Sequence, residues 1–352
     1  MYARPRTIEE ATQALRAEGA VVICGGTDVY PAHAGRPLSR PLVDISRVEG
    51  LRGITEDAST IRFGAATTWS DIVRSPLTAA FDGLKAAARE VGSLQIQNRG
   101  TIAGNLCNAS PAADGVPPLL SLDARIEIVG PAGRRVLPLA AFITGYRRTA
   151  LATGEIVTAI LVPKPAASAR SAFVKLGARR YLVISILMAA ALVERDAEGR
   201  ISHAAVAVGS ASPVAQRLPE LEAALRGLSP GERPSGLVEP RHFAALSPID
   251  DVRATADYRL EAACAAVSEA LDRAAGSVAD AVAGAETVFC AAPVTALPAL
   301  VSEAIAASGE GVVVTDVGST KRALLDAVEG LEGAERFIGG HPLAGAETAG
   351  VE

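Results

Sequence analysis

The chain has 352 residues, a formal net charge of -5, and 49% hydrophobic against 21% charged residues. That composition can bury real cores and leaves room for about two or three domains. The 34 Lys and Arg are scattered rather than clustered, which excludes the basic footprint of a nucleic-acid or anionic-membrane binder.

The longest apolar run, from Leu182 to Val193 and broken by Ser185, falls well short of the roughly 20 residues needed to span a bilayer. The N-terminus turns acidic and amphipathic where a signal peptide would need an apolar stretch, so a cytoplasmic location without export is expected. Cysteines at 24, 107, 264 and 290 and histidines at 33, 203, 242 and 341 lack ligand spacing. Buried reduced thiols and no metal site follow.

In chain order, Thr7 and Glu10 predict a capping box that opens a helix ending by Gly19. "AVVIC" reads as a short buried strand, and "GGTDVYP" follows it directly. "LVDI" and "TIRFGAAT" read as strands, and an Ala-rich helix runs toward Val91. After residues 98–114, "PPLLSLDARIEIVGPAGRRVLPLAAF" gives a helical turn and a hairpin closing at Gly130–Gly133. Two or three antiparallel strands follow, turning at "RDAEGR", then a helix in "RLPELEAALRG". "IDDVRATADYRLEAACAAVSEALDRAAG" predicts a long amphipathic helix with Asp at its start and Gly276 beyond its end. From about Ser277 the text changes to strand–loop–helix units with the period of a parallel α/β fold.

Two loops carry the chemical signal. A diphosphate needs several N–H donors converging on one point, and glycine turns supply them because no side chain blocks the approach. "CGGTD" can aim the amides of Gly25, Gly26, Thr27 and Asp28 outward from a strand end, and "TIAGN" offers the same device with the Asn105 side chain added. Neither a GxGxxG turn nor a Walker lysine loop occurs.

The succession "GGTD … NRGTIAGNLCNASPAAD … GYRRTAL … PIDDVRATADYR" resembles the FAD-binding medium subunit of the molybdenum hydroxylases, the xanthine dehydrogenase and carbon monoxide dehydrogenase family, over residues 1–275. The resemblance implies an α+β fold. A PCMH-type FAD-binding domain of two α/β subdomains would occupy 1–165, and an antiparallel sheet plus helices, like the C-terminal domain of CO dehydrogenase flavoproteins, 166–275. It further implies FAD as cofactor. Gly25, Gly26, Thr27 and Asp28 would form one diphosphate loop, and Thr101, Gly104 and Asn105 the other. Ser110 and Asp114 would hold the ribityl or adenosine portion, and Lys175 would lie near the isoalloxazine. Ala103 stands where the family usually has glycine. Tyr146 and Arg147 read from the residues alone as a core tyrosine and a solvated arginine. Implied partners are a molybdopterin-binding large subunit and a [2Fe-2S] small subunit, with NAD or another acceptor taking the electrons.

Residues 312–352, with "DVGSTK" and "GGHPLAG", resemble a different family, prephenate dehydrogenase. That resemblance implies active-site roles for Ser319 and His341, the histidine accepting a hydrogen bond from the substrate hydroxyl. The family's glycine-rich cofactor turn should precede "ETVFCAAPV", but the long amphipathic helix lies there instead. Residues 277–352 are therefore expected to form an incomplete, inactive Rossmann-like α/β fragment.

Overall fold

A computed structural model of the chain describes residues 1–179, 182–230, 232–276, 282, 285–292, 296–318 and 321–340. The chain divides into two compact units, Met1–Ala275 and Gly276–Glu352.

The first unit begins with a small parallel sheet of strands β1 (Tyr2–Ala3), β2 (Val21–Ile23) and β3 (Leu42–Asp44), in the order β1-β3-β2. Helix α1 (Ile8–Ala14) crosses over between β1 and β2. Its N-cap Thr7 accepts from the Glu10 amide at 3.2 Å, as the spacing predicts. The Glu10 carboxylate reaches past Thr7 to the Arg6 amide instead, so the predicted capping box is only half formed. A short helix α2 (Val29–Ala32) follows the first glycine loop.

A five-stranded antiparallel sheet forms the second layer. It comprises β4 (Ile54–Glu56), β5 (Thr60–Gly64), β6 (Arg125–Gly130), β7 (Gly133–Pro138) and β10 (Ile156–Pro163), ordered β4-β5-β10-β6-β7. The hairpin β6–β7 closes at Gly130 opposite Gly133, where the sequence placed it. Helices α3 (Trp69–Arg74), α4 (Asp82–Glu90), α5 (Leu94–Gln97), α6 (Ile102–Asn108) and α7 (Val116–Ser121) lie between β5 and β6 in the chain. Trp69, Phe63, Phe81, Leu106 and Ile126 are fully buried in the core shared by the sheet and these helices. Helix α8 (Leu139–Phe142) leads into a small hairpin of β8 (Ile143–Gly145) and β9 (Arg148–Thr149).

The unit closes with a four-stranded antiparallel sheet, β11 (Arg170–Leu176), β12 (Leu187–Arg195), β13 (Ile201–Gly209) and β14 (Gln216–Arg217), in sequential order. Helix α9 (Pro219–Leu225) and the 20-residue helix α10 (Ala256–Ala275) cover one face. Helix α10 starts later than the sequence suggests, because "IDDVR" is spent on a half-buried ion cluster. Asp251 binds Arg253 (Nη2 to Oδ2, 2.5 Å) and the fully buried Arg259 (Nη2 to Oδ1, 2.7 Å). The arginines also reach the chain between β11 and β12: Arg253 donates to the Ser185 carbonyl at 2.8 Å and Arg259 to the Ile186 carbonyl at 3.1 Å. These contacts hold the Asp251 carboxyl well below the usual range, with the Arg253 side-chain hydrogen bond the first cause.

The second unit is a parallel sheet, β15 (Thr287–Cys290), β16 (Val313–Asp316) and β17 (Phe337–Ile338), in sequential order. The helices Leu297–Ala307 and Arg322–Val328 supply its core with Val301, Ala304 and Leu324. This is the α/β period read from the sequence.

In Arg259→Ala the Asp251 carboxylate keeps Arg253, but the Ile186 carbonyl loses its donor, and a buried acceptor left without one costs about 1–3 kcal/mol. The variant should therefore lower the unfolding free energy of the first unit by about that amount in a urea titration.

Candidate functional site

Two glycine loops meet backbone to backbone. The first leaves the C-terminal end of β2, the side of a parallel sheet where open α/β folds place ligands. A Cβ on Gly25 would overlap the carbonyl of Arg99, one residue before Gly100. From the other side, a Cβ on Gly100 would lie 3.4 Å from the Thr27 hydroxyl and 3.0 Å from the Ile96 carbonyl. Gly26 has φ +73°, and a side chain there would press on the Tyr30 ring at 2.5 Å. Only residues without a Cβ allow this approach and this turn.

The loops differ in what they offer. No described residue accepts a hydrogen bond from the amides of Gly25, Gly26, Thr27 or Asp28. The second loop is instead the capped start of α6. Thr101 Oγ1 accepts from the Gly104 amide at 3.0 Å and the Thr101 carbonyl from the Asn105 amide at 3.1 Å. The Ile102 amide donates to Thr67 and that of Ala103 to Ala65. The outward amides expected of "TIAGN" are thus already spent, because Thr-x-x-Gly spacing is also that of a helix N-cap. What remains is the close wall at Gly104 and the Asn105 side chain, whose Oδ1 is buried without a partner.

Both loops line one cleft of about 690 Å³, and all ten residues assigned to cofactor binding from the sequence line it: Gly25, Gly26, Thr27, Asp28, Thr101, Gly104, Asn105, Ser110, Asp114 and Lys175. The Ser110 hydroxyl accepts from the Ala112 amide at 3.3 Å. Asp114 and Lys175 form a buried ion pair at 2.7 Å, their side chains 8% and 7% exposed. Asp114 also accepts from Ser185 Oγ at 2.6 Å, and Lys175 donates to the Glu90 carbonyl at 3.2 Å. Burial raises the Asp114 carboxyl, while Lys175 and Ser185 pull it back. Ser185 escaped the sequence reading, although it is the residue that breaks the apolar run Leu182–Val193.

Arg147 also lines the cleft, and the sequence reading set it aside as solvated. Tyr146, read as core, is 65% exposed. Asp28 accepts from Asn108 Nδ2 at 2.8 Å, and Asn108 Oδ1 in turn accepts from Arg147. Desolvation raises the Asp28 carboxyl, and the nearby Arg147 opposes it. Cys24 lies on the same wall with its thiol pushed up to about 11 by burial. Burial thus disfavours the thiolate, the form that acts as a nucleophile.

Among the described residues no cluster of His, Cys, Asp or Glu could hold a metal, and no helix is long and apolar enough to cross a membrane. In the second unit, Ser319 and His341 lie outside the described residues. Their flanking motifs meet at the buried Asp316, which accepts from Lys321 Nζ at 2.5 Å and from the amides of Gly318 and Gly340 at 2.8 and 3.2 Å. Burial pushes the Asp316 carboxyl up, but these donors outweigh it and hold it below its usual value.

Residues 1–165 match the FAD binding domain in molybdopterin dehydrogenase, and residues 172–274 the CO dehydrogenase flavoprotein C-terminal domain. Residues 254–352 match the prephenate dehydrogenase nucleotide-binding domain. The nicotine 6-hydroxylase medium subunit of Paenarthrobacter nicotinovorans is 35% identical over 268 residues, 73% of this chain and 91% of that protein. The carbon monoxide dehydrogenase medium chain of Hydrogenophaga pseudoflava is 31% identical over 278 residues, 78% and 96% of the two chains. The solved structure of carbon monoxide dehydrogenase from that organism, lacking the Mo-pyranopterin moiety, superposes with a TM-score of 0.69 at 30% identity, covering 78% of this chain and 96% of its own.

The chain therefore belongs to the FAD-binding medium subunits of the molybdenum hydroxylases, of the xanthine and carbon monoxide dehydrogenase type. It is the flavoprotein component of an oxidoreductase, and its cofactor is FAD.

The contact at Gly25 has a direct test. Gly25→Ala forces a methyl into the Arg99 carbonyl, and overpacking of this kind costs about 1–3 kcal/mol. The purified variant should unfold at lower urea than the parent and carry markedly less flavin, read from visible absorbance per chain.

Proposed function

We propose that the cleft takes FAD with its diphosphate on the free amides of Gly25, Gly26, Thr27 and Asp28. The second loop, through Thr101, Gly104 and Asn105, shapes the facing wall. The observation that carries this reading is the set of four unspent amides at the end of a parallel strand, held in backbone contact with the second loop. The residues present fit the group. Glycines leave the room a diphosphate needs, and the orphaned Asn105 Oδ1 is a buried polar atom awaiting a partner. Ser110 supplies a hydroxyl toward the ribityl or adenosine portion. Asp114 would likewise serve the ribityl or adenosine portion, and Lys175, paired with Asp114, would lie near the isoalloxazine.

Residues 1–165 and 166–275 serve as the FAD-binding and C-terminal domains of this assembly. Bound FAD supplies exchange between one-electron and two-electron partners. The protein's own residues bind and orient it, and Leu182 and Ile184 add apolar surface at the cleft. The electrons come from [2Fe-2S] clusters of a small subunit, after substrate oxidation at a molybdopterin centre on a large subunit, and leave to NAD or another acceptor. The names of the relatives as medium subunits support such partners.

NADH tests the acceptor without any partner subunit. Added anaerobically to the purified flavoprotein, it should bleach the visible flavin band if NAD is the acceptor. An unchanged band, with dithionite still bleaching it, would assign the electrons elsewhere.

The second reading, a prephenate dehydrogenase, is favoured only by the match over residues 254–352. The expected outcome is no NADH formation from NAD and prephenate by the full chain. Turnover there would move Ser319 and His341 into a working site.

A further inference from the structure

The hairpin tip Tyr146–Arg147 is built in a way that a solvated arginine would not require. Arg147 has φ +55°, the left-handed region that costs a side-chain-bearing residue strain. The conformation is held from outside the hairpin, because the Arg147 amide donates at 3.0 Å to the carbonyl of Ala109, the C-cap of α6. The same residue's guanidinium donates to Asn108, and Asn108 donates to Asp28 beside the four free amides. Three segments of chain thus cooperate to bring one cation to the first glycine loop.

Charge counting along the cleft sharpens the point. Among the described residues that line it, the cations are Arg147 and Lys175. Lys175 is consumed by Asp114 in a buried pair. Arg147 makes no ion pair within the described residues, although its charge acts on the nearby Asp28 carboxyl, and its contact with Asn108 uses one of the five donors of a guanidinium. A diphosphate brings two formal negative charges, roughly, for which backbone amides supply only partial compensation. An arginine fork with unused donors is the group that pairs with such oxygens.

We infer that Arg147 is the cation that meets the diphosphate of FAD, with Asn108 and Asp28 as positioning residues that hold its guanidinium at the first loop. This rests on the reading of the cleft as the FAD site and adds a residue to it. The strained turn fixes the Arg147 backbone, and the Asn108 contact gives its exposed guanidinium one anchor near the first loop.

The test uses the full chain stripped of flavin and titrated with FAD by fluorescence quenching at several salt concentrations. Arg147→Ala should bind FAD about tenfold more weakly, the size expected for one lost charge-assisted contact. Its affinity should depend less on salt than the parent's, and Arg147→Lys should recover part of both properties. Parental affinity in Arg147→Ala, or weakening with unchanged salt dependence and no recovery in Arg147→Lys, would overturn the assignment. If the parent chain itself takes up no FAD, the reading of the cleft fails rather than the role of Arg147.

Discussion

The first unit turns on a single close approach, that of the Gly25 backbone to the Arg99 carbonyl. One loop ends a strand of the small parallel sheet, and the other opens a helix beside the five-stranded sheet. They touch through main chain, so the approach leaves no room for a side chain at Gly25. The geometry presented to a ligand is fixed before it arrives, which reduces the ordering cost of binding. Division of labour follows from hydrogen-bond accounting. The first loop keeps its amides unspent, whereas the second satisfies its own through the Thr101 cap and contributes shape and one side-chain amide.

A second constraint holds the other end of the cleft. Asp114 and Lys175 are 61 residues apart in sequence and meet in a nearly dry setting, where an unpaired charge would be costly. Ser185 adds a hydrogen bond to the carboxylate, and its own carbonyl is held from behind by Arg253. Asp251 and Arg259 complete that support, so the segment before α10 positions a cleft it does not line. The C-terminal sheet is therefore part of the site through β11 and through the chain leading into β12.

Much of this was legible in the sequence, for local reasons. A strand end followed by Gly-Gly, the helix opened by Thr7 and the Gly130–Gly133 turn are short-range signals, and each appears where the residues indicated. The long-range pairings were not legible. Nothing in "AFVKLG" says that Lys175 will be buried against Asp114, because that follows from strand register and the packing of α4 and α7 over the sheet. The two readings of "TIAGN", anion loop and helix cap, share one spacing, and only the bonding of the Gly104 amide separates them. Arg147 was set aside because exposure and function look alike in sequence, whereas its left-handed backbone and its tie to Asn108 exist only in three dimensions. In the second unit, Ser319 and His341 fall outside the described residues, and what the structure adds there is the gathering of their neighbours around Asp316.

Hydrogen exchange with and without FAD tests the central claim most directly, because the two loops start from different states. FAD should slow exchange at Gly25, Gly26, Thr27 and Asp28, whose amides lack protein acceptors. It should leave Ile102 to Asn105, already bonded, nearly unchanged. Protection confined to residues 102–105, with none at 25–28, would contradict the account.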